Sequence, residues 1–381
     1  MKILFDLLYI VEPEPAGVKI YCFELINSFA RYVPDAELAV IGISEQESFI
    51  RSAVKAKITY IAVNNDMRHW MHHAQNHLMG IKSWLQKDSN VADRIKCYDV
   101  CISPFANGPL IDFSYCLNHV GVIHDLQGVK IAWSESQSLK TLKFIFRCWQ
   151  KYRRLNAIIS ISKTTKKAVD HFCLRRSHQI YNSISHMNYT DRRPIDFPVE
   201  FNEYILDVNS FFRYKNAKTL MQAFALIMND YPKLKLYFKG NNNPDYEELP
   251  MLARNLDIES RVFFDRNFRT NEEMAWLYKH AKLFVSPSFM EGFGYTPVEA
   301  IINKIPTIVA NIKTLKEVTQ GCATLFDPYS VDELATILKS HLDNPISQNE
   351  LERRAKRILD YYSDKVQIEN FMEVIKKICK S

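Results

Sequence analysis

Glu291 and Glu299 stand eight residues apart in the stretch MEGFGYTPVEA, residues 290–300, with Gly292-Phe293-Gly294 between them. A carboxylate beside two glycines suits a ligand that carries hydroxyls next to a phosphate. The acid accepts from the hydroxyls, while bare amides beside a helix N-terminus form an anion site. Glu291 ends the run KLFVSPSFME, so it falls just past the carboxyl end of a strand, where ligands collect in open α/β sheets. Glu299 has a second reading. Thr296-Pro297-Val298-Glu299 has the form of a capping box, with Thr296 as N-cap, Pro297 at the first helical position and Glu299 three residues after the cap. A helix could want that arrangement with no ligand present, and spacing alone leaves the two readings level. Capping does not explain the glycines. With only 10 in the chain, each is expected where nothing else fits. A glycoside hydrolase also pairs two carboxyls about a sugar, but Glu299 set into a helix makes a poor general acid.

Such residues need strands behind them. Both halves of the 381-residue chain alternate short apolar runs with amphipathic stretches, which predicts two α/β domains with parallel sheets. KILFDLLYI, ELAVIGI, KITYIAV, DVCISP, HVGVIHDL and AIISIS read as strands of the first half, with helices over 18–32, 68–87, 138–155 and 163–173. In the second half the strands are YILDV, LKLYFKG, RVFF, KLFVSPS, PTIVAN and ATLFD, and helices are expected over 216–229, 270–280, 297–303 and 331–342. The stretch 186–200 carries two prolines and little periodicity, and reads as the linker. The expected domains are 1–185, 186–365, and a terminal helix over 366–381 that could pack back on the first domain.

Hydrophobic content of 47% and charged content of 24% are those of a soluble globular protein, and no apolar run reaches the roughly 18–20 residues of a bilayer span. The opening MKILFDLLYIV reads as a buried strand rather than a signal peptide, because Asp6 interrupts it and EPEP follows. The 8 cysteines form no C-x-x-C pair or zinc spacing, so reduced thiols and a cytoplasmic setting are expected. His69, His72, His73 and His77 contain i,i+4 pairs, but no carboxylate or cysteine joins them, and no metal site is expected.

The net charge of +6 is uneven. Residues 1–185 hold 23 Lys/Arg against 16 Asp/Glu, and residues 140–176 alone hold eleven basic side chains and one acidic, Asp170. That run could be a solvated face, a nucleic-acid patch or a membrane surface. No recognition module accompanies it, which argues against nucleic acid. Interleaved Phe144, Phe146, Trp149 and Tyr152 suit an anionic membrane surface.

The E-x7-E pattern containing EGFG, after a strand ending Ser-Pro-Ser, resembles the signature of the family-4 retaining glycosyltransferases of the GT-B fold. Further segments are similar in the same order: AGVKIYCFEL to the first glycine loop, VGVIHDL to the His-Asp strand, AIISISKTTKKAV and IYNSIS to the segments before the second domain, and YILDVNSFFRYKNAKTLMQAF to the basic loop. The likeness covers most of residues 1–340 and is strongest in the second half. It implies two Rossmann-like domains with parallel sheets facing a central cleft.

Carried over, the resemblance implies that Glu291 contacts hydroxyls of the donor sugar and Glu299 the nucleotide ribose. Amides of Gly292, Phe293 and Gly294 would meet the sugar and phosphates. Lys215, with Arg213 assisting, would neutralise the diphosphate, Gly17 would let the first loop approach it, and His124 would sit against the sugar. Asn209-Ser210, Tyr181-Asn182-Ser183 and Asn303-Lys304 depart from the family pattern, the first at a phosphate contact. The expected activity is metal-independent, retaining transfer of a hexose from a GDP- or UDP-linked donor, GDP-mannose first, to a glycan or lipid-linked acceptor in cell-surface polysaccharide synthesis. The enzyme would be peripheral on the inner face of the cytoplasmic membrane. An epimerase or hydrolase on the same fold, or a non-catalytic GT-B partner subunit, is the alternative.

Overall fold

The computed structural model describes residues 1–10, 17–63, 89–107, 118–136, 138–184, 190–240 and 244–380. The four-histidine stretch and the expected helix over 68–87 lie outside them. The chain divides into two compact units, Met1–Ser183 with Asp364–Ser381, and Ile184–Ser363.

The first unit holds, among the described residues, a seven-stranded parallel sheet. Its strands are β1 (Lys2–Asp6), β2 (Glu37–Ile43), β3 (Thr59–Val63), β4 (Val100–Ser103), β5 (His119–Ile123), β6 (Ala157–Ser160) and β7 (His178–Gln179), in spatial order 3-2-1-4-5-6-7. Six follow the apolar runs of the sequence; β7 has two residues, too few to leave a pattern. Strands covered on both faces must be apolar throughout, and Ile3, Leu4 and Phe5 of β1 are fully buried. Leu4, Ile41, Ile61 and Cys101 pack with Val91 and Ile95 of the helix Ser89–Lys96. Ile123 and Ile158 pack with Cys148 and Tyr152 of the helix Leu139–Arg154 and with Val169 and Cys173 of the helix Lys163–Cys173. The terminal helix Asp364–Ile378 lies on the helix Gly17–Tyr32. Phe371 meets Phe29 edge-on at 5.7 Å, and Asp364 pairs with Arg31 and accepts from Tyr32 Oη at 3.1 Å.

The second unit repeats the plan with six parallel strands: β8 (Tyr204–Val208), β9 (Lys235–Lys239), β10 (Val262–Asp265), β11 (Leu283–Ser286), β12 (Thr307–Ala310) and β13 (Thr324–Phe326), in order 10-9-8-11-12-13. Its core gathers Tyr204, Leu206, Tyr237 and Phe284 of the sheet with Leu277 and Tyr278 of the helix Asn271–His280. In each unit the strand order reverses once, between β1 and β4 and between β8 and β11. Loops leaving the carboxyl ends of such a strand pair diverge and open a crevice, the usual ligand position in these sheets.

Candidate active site

The two loops at the β8/β11 reversal are laced together. Residues 209–216 leave β8 and residues 287–294 leave β11. Phe289 N donates to Tyr214 O at 2.8 Å, and Asn216 Nδ2 donates to Pro287 O and Pro328 O at 3.0 Å each. Asn216 has φ +59° and sits where the 3-10 turn Arg213–Lys215 passes into the helix Ala217–Ile227. Asparagine tolerates that left-handed conformation, and its amide is then free to tie three segments.

The lacing delivers Lys215 to Glu291. Lys215 Nζ donates to Glu291 Oε1 at 2.8 Å, with side chains 16% and 11% exposed. Burial pulls the Lys215 pKa down, but the Glu291 carboxylate outweighs it and the ammonium is held above its ordinary value. A charged lysine and a carboxylate therefore share one crevice. Arg213 turns elsewhere: its exposed guanidinium pairs with Glu248.

Glu299 corrects the capping reading. The helix runs Tyr295–Ile302, its N-cap is Gly294, and no side chain caps it. Gly294 adopts φ +93°, which turns the chain into the helix two residues before Thr296. Thr296 and Pro297 are already helical, and Glu299 lies too deep to reach the cap amide. The positive φ favours glycine here, and a Cβ would also stand 2.7 Å from Leu315 Cδ2, which would have to shift. Glu299 accepts instead from Tyr278 Oη at 2.5 Å. Burial pushes its carboxyl pKa up, and the tyrosine bond only partly offsets this. With no cap to make, this carboxyl is left to a ligand or to Tyr278. The amides of Gly292, Phe293 and Gly294 precede the helix, while the Phe293 side chain is core, edge-on to Tyr362 at 5.3 Å.

Asp207, near the end of β8, is 1% exposed and escaped the sequence reading. Asn209 Nδ2 donates to its Oδ2 at 2.6 Å, and Asn209 Oδ1 accepts from Phe211 N at 2.6 Å, fixing Phe211 at φ +55°. Asn209 stands where the resemblance expects glycine, and its side chain organises the loop from within. Gly240 makes room: a Cβ there would be 2.1 Å from Asn209 O. Burial pushes the Asp207 carboxyl up to about 7; Lys215 opposes that shift and Glu291 adds to it.

The remaining expected residues belong to the first unit. His124 follows β5 and is 6% exposed; its ring packs edge-on against Tyr21 at 4.7 Å. Nε2 lies 2.9 Å from Pro104 O, which can only accept, so Nε2 carries the proton and Nδ1 is the acceptor. Burial holds its pKa down at about 4, so the ring is neutral near pH 7. Gly17 opens the helix Gly17–Tyr32; residues 11–16 before it lie outside the described ones.

Residues 191–358 match the family model described as "Glycosyl transferases group 1". Over those residues the chain is similar to that glycosyltransferase family. It is similar to the serotype-specific mannosyltransferase WbdA of Escherichia coli, 26% identical over 221 residues, which are 54% of this chain and 27% of that protein. It is also similar to the O-antigen chain mannosyltransferase RfbU of Salmonella typhimurium strain LT2, 23% identical over 215 residues, 55% of this chain and 57% of that protein. The match thus spans about a quarter of WbdA. Among solved structures, Anabaena HepE in complex with UDP and glucose superposes with TM-score 0.71 at 16% identity, covering 99% of this chain and 100% of that one. The fold is GT-B, as that superposition and both parallel sheets show. Among the described residues no three His, Cys, Asp or Glu side chains gather as metal ligands, and no helix is long and apolar enough to cross a membrane.

Proposed function

We propose that the protein transfers a hexose, with retention, from a nucleotide sugar to a glycan or lipid-linked acceptor in cell-surface polysaccharide synthesis. The observation that carries this is the Lys215–Glu291 pair beside the amides of residues 292–294, at the strand-order reversal of the unit that is similar to the group 1 glycosyltransferases. In transfer, the bond from sugar C1 to phosphate oxygen breaks and its electron pair stays on the phosphate. A bond forms from C1 to the acceptor oxygen, and that oxygen releases its proton. Charge therefore grows on the diphosphate, where the Lys215 ammonium and the amides receive it, and no divalent cation is needed in this scheme. Glu291 accepts from sugar hydroxyls and Glu299 from ribose hydroxyls; in the first unit, neutral His124 keeps Nδ1 as an acceptor for a hydroxyl. Mannose from GDP-mannose is the first candidate, supported by likeness to WbdA and RfbU; the UDP held by HepE supports a UDP-hexose as second.

A cytoplasmic, peripheral position on a membrane would suit a lipid-linked acceptor. Its support is the helix Leu139–Arg154, where Leu139, Leu142 and Phe146 form an exposed stripe, Phe146 stacks on Trp149 at 5.7 Å, and Lys140, Lys143 and Arg147 flank it. Tyr152, counted with those aromatics in the sequence, is instead 2% exposed and belongs to the core.

The test is a thermal-shift panel of UDP, GDP, ADP and dTDP, followed by donor turnover with and without chelator. At a hundred times its Kd the right nucleotide should stabilise the domain by about 2.7 kcal/mol. GDP giving the largest shift supports GDP-mannose, UDP giving it moves the donor to UDP-hexoses, and no shift with no turnover overturns the reading.

A further inference from the structure

The candidate site holds an excess of acid. Asp207 and Glu291 both act on Lys215, Glu299 is bonded to the neighbouring Tyr278, and the ammonium is already engaged by Glu291. A sugar-linked diphosphate adds a negative charge on each phosphate. Buried beside an ionised Asp207, it would meet repulsion that one lysine shared with Glu291 cannot cancel, because a carboxylate with 1% exposure has almost no water to screen it. The geometry offers a way out. The side chain of Asp207 accepts one hydrogen bond, from Asn209 Nδ2 to Oδ2, and this bond survives protonation at Oδ1. The groups acting on Asp207 are Lys215 from the turn after β8, Glu291 from the loop after β11, and Tyr278 from the helix Asn271–His280, whose hydroxyl is committed to Glu299. Lys215 favours the charged acid and Glu291 disfavours it. Once Lys215 turns towards phosphate, its support for the carboxylate is diverted.

We propose that Asp207 is a further donor-site residue, one that takes up a proton as the diphosphate binds, so that the anion meets a carboxylic acid rather than a carboxylate. This deepens, and rests on, the reading of the cluster as the nucleotide-sugar site. The proton comes from solvent, enters at Oδ1 and returns when the nucleoside diphosphate leaves. Asn209 stays bonded throughout, so the loop 209–216 keeps its conformation while its charge changes. The free acid has its midpoint at about 7. A bound anion raises that midpoint further, so binding must weaken as pH rises above it.

The test is calorimetric titration of the full chain with UDP and with GDP from about pH 7 to pH 9, where a terminal phosphate with second pKa about 6 is already ionised. Each pH is run in buffers of different ionisation enthalpy. The wild type should take up between half and one proton per site, and its affinity should fall up to about tenfold per pH unit. Asp207→Asn should take up none and bind no more weakly at the top of the range than at the bottom. A protonated-carboxyl band should also appear in the wild-type infrared difference spectrum on nucleotide binding, a readout that does not depend on the variant folding. Nucleotide binding with no uptake and a flat profile overturns the proposal, as does uptake unchanged in Asp207→Asn. If neither nucleotide binds the wild type at any pH, the donor-site reading itself falls and takes this inference with it.

Discussion

Replacing Lys215 by Met, Glu291 by Gln, and both together makes a thermodynamic cycle across the pair that anchors the site. Nζ and Oε1 are 2.8 Å apart, and the side chains keep 16% and 11% of their exposure. Solvent-exposed pairs contribute about 0.2–1 kcal/mol, whereas breaking a buried pair costs about 3–5 kcal/mol, because the surviving charge loses its partner without regaining water. Limited exposure here places each single variant between the two ranges and nearer the buried one, at about 2–3 kcal/mol. The second unit, Ile184–Ser363, is of a size for which 1 kcal/mol shifts the melting temperature by about 2–4 °C, so each single variant should melt about 4–12 °C lower. The double variant removes both partners and should cost only about 1 kcal/mol, giving a coupling of about 3–5 kcal/mol in magnitude. Calorimetry of the full chain, with denaturant titration as a check, reads all four corners. Single losses below about 0.5 kcal/mol that simply add would refute the argument, since the pair would then be behaving as a surface bridge.

Three further outcomes follow from neighbouring features. Glu299→Gln keeps an acceptor for Tyr278 Oη, so stability should change by less than about 1 kcal/mol while nucleotide affinity falls; clear destabilisation with unchanged affinity would return this residue to a structural role. His119 and His124 are both held near about 4 by burial, against an ordinary value of 6.5. The folded chain therefore binds fewer protons than the unfolded one between those values, and stability should drop on acidification by about 2 kcal/mol per histidine at pH 5; a flat denaturation profile from pH 7 to pH 5 would contradict this. Replacing Lys140, Lys143 and Arg147 by Gln should weaken binding to anionic vesicles by about 3 kcal/mol, on the order of a hundredfold, while binding of free nucleotide persists. Equal binding of the unaltered chain to neutral and anionic vesicles, or none to either, would leave that helix as a solvated face.

What the sequence made legible, and what it did not, divides along a physical line. Strands buried on both faces must be apolar, so KILFD, ELAVIGI, YILDV and LFVS could be read directly, and the loops after β8 and β11 could be placed at strand ends. Local backbone conformation was less accessible. The string Thr-Pro-Val-Glu satisfies a capping box, yet Gly294 at φ +93° begins the helix earlier and removes the residue from its expected task. Nothing local to residues 296–299 could have said so, because the helix begins at Gly294, where the backbone takes a left-handed turn. Asn216 likewise looks like an ordinary polar residue until its left-handed backbone aims the amide at two carbonyls.

Asp207 is the instructive omission, because a signal for it existed. In YILDV a single acid interrupts a strand that otherwise reads as buried on both faces, and an ionisable group there is expensive unless something nearby needs it. A surface explanation fails, since the residue is 1% exposed. A structural explanation covers one oxygen, which accepts from Asn209; the carboxyl as a whole also feels the charges of Lys215 and Glu291. Reading motifs finds the glutamates because they recur in a recognisable order. Reading cost finds Asp207, because an acid that burial keeps near neutrality makes sense where an anion must come and go.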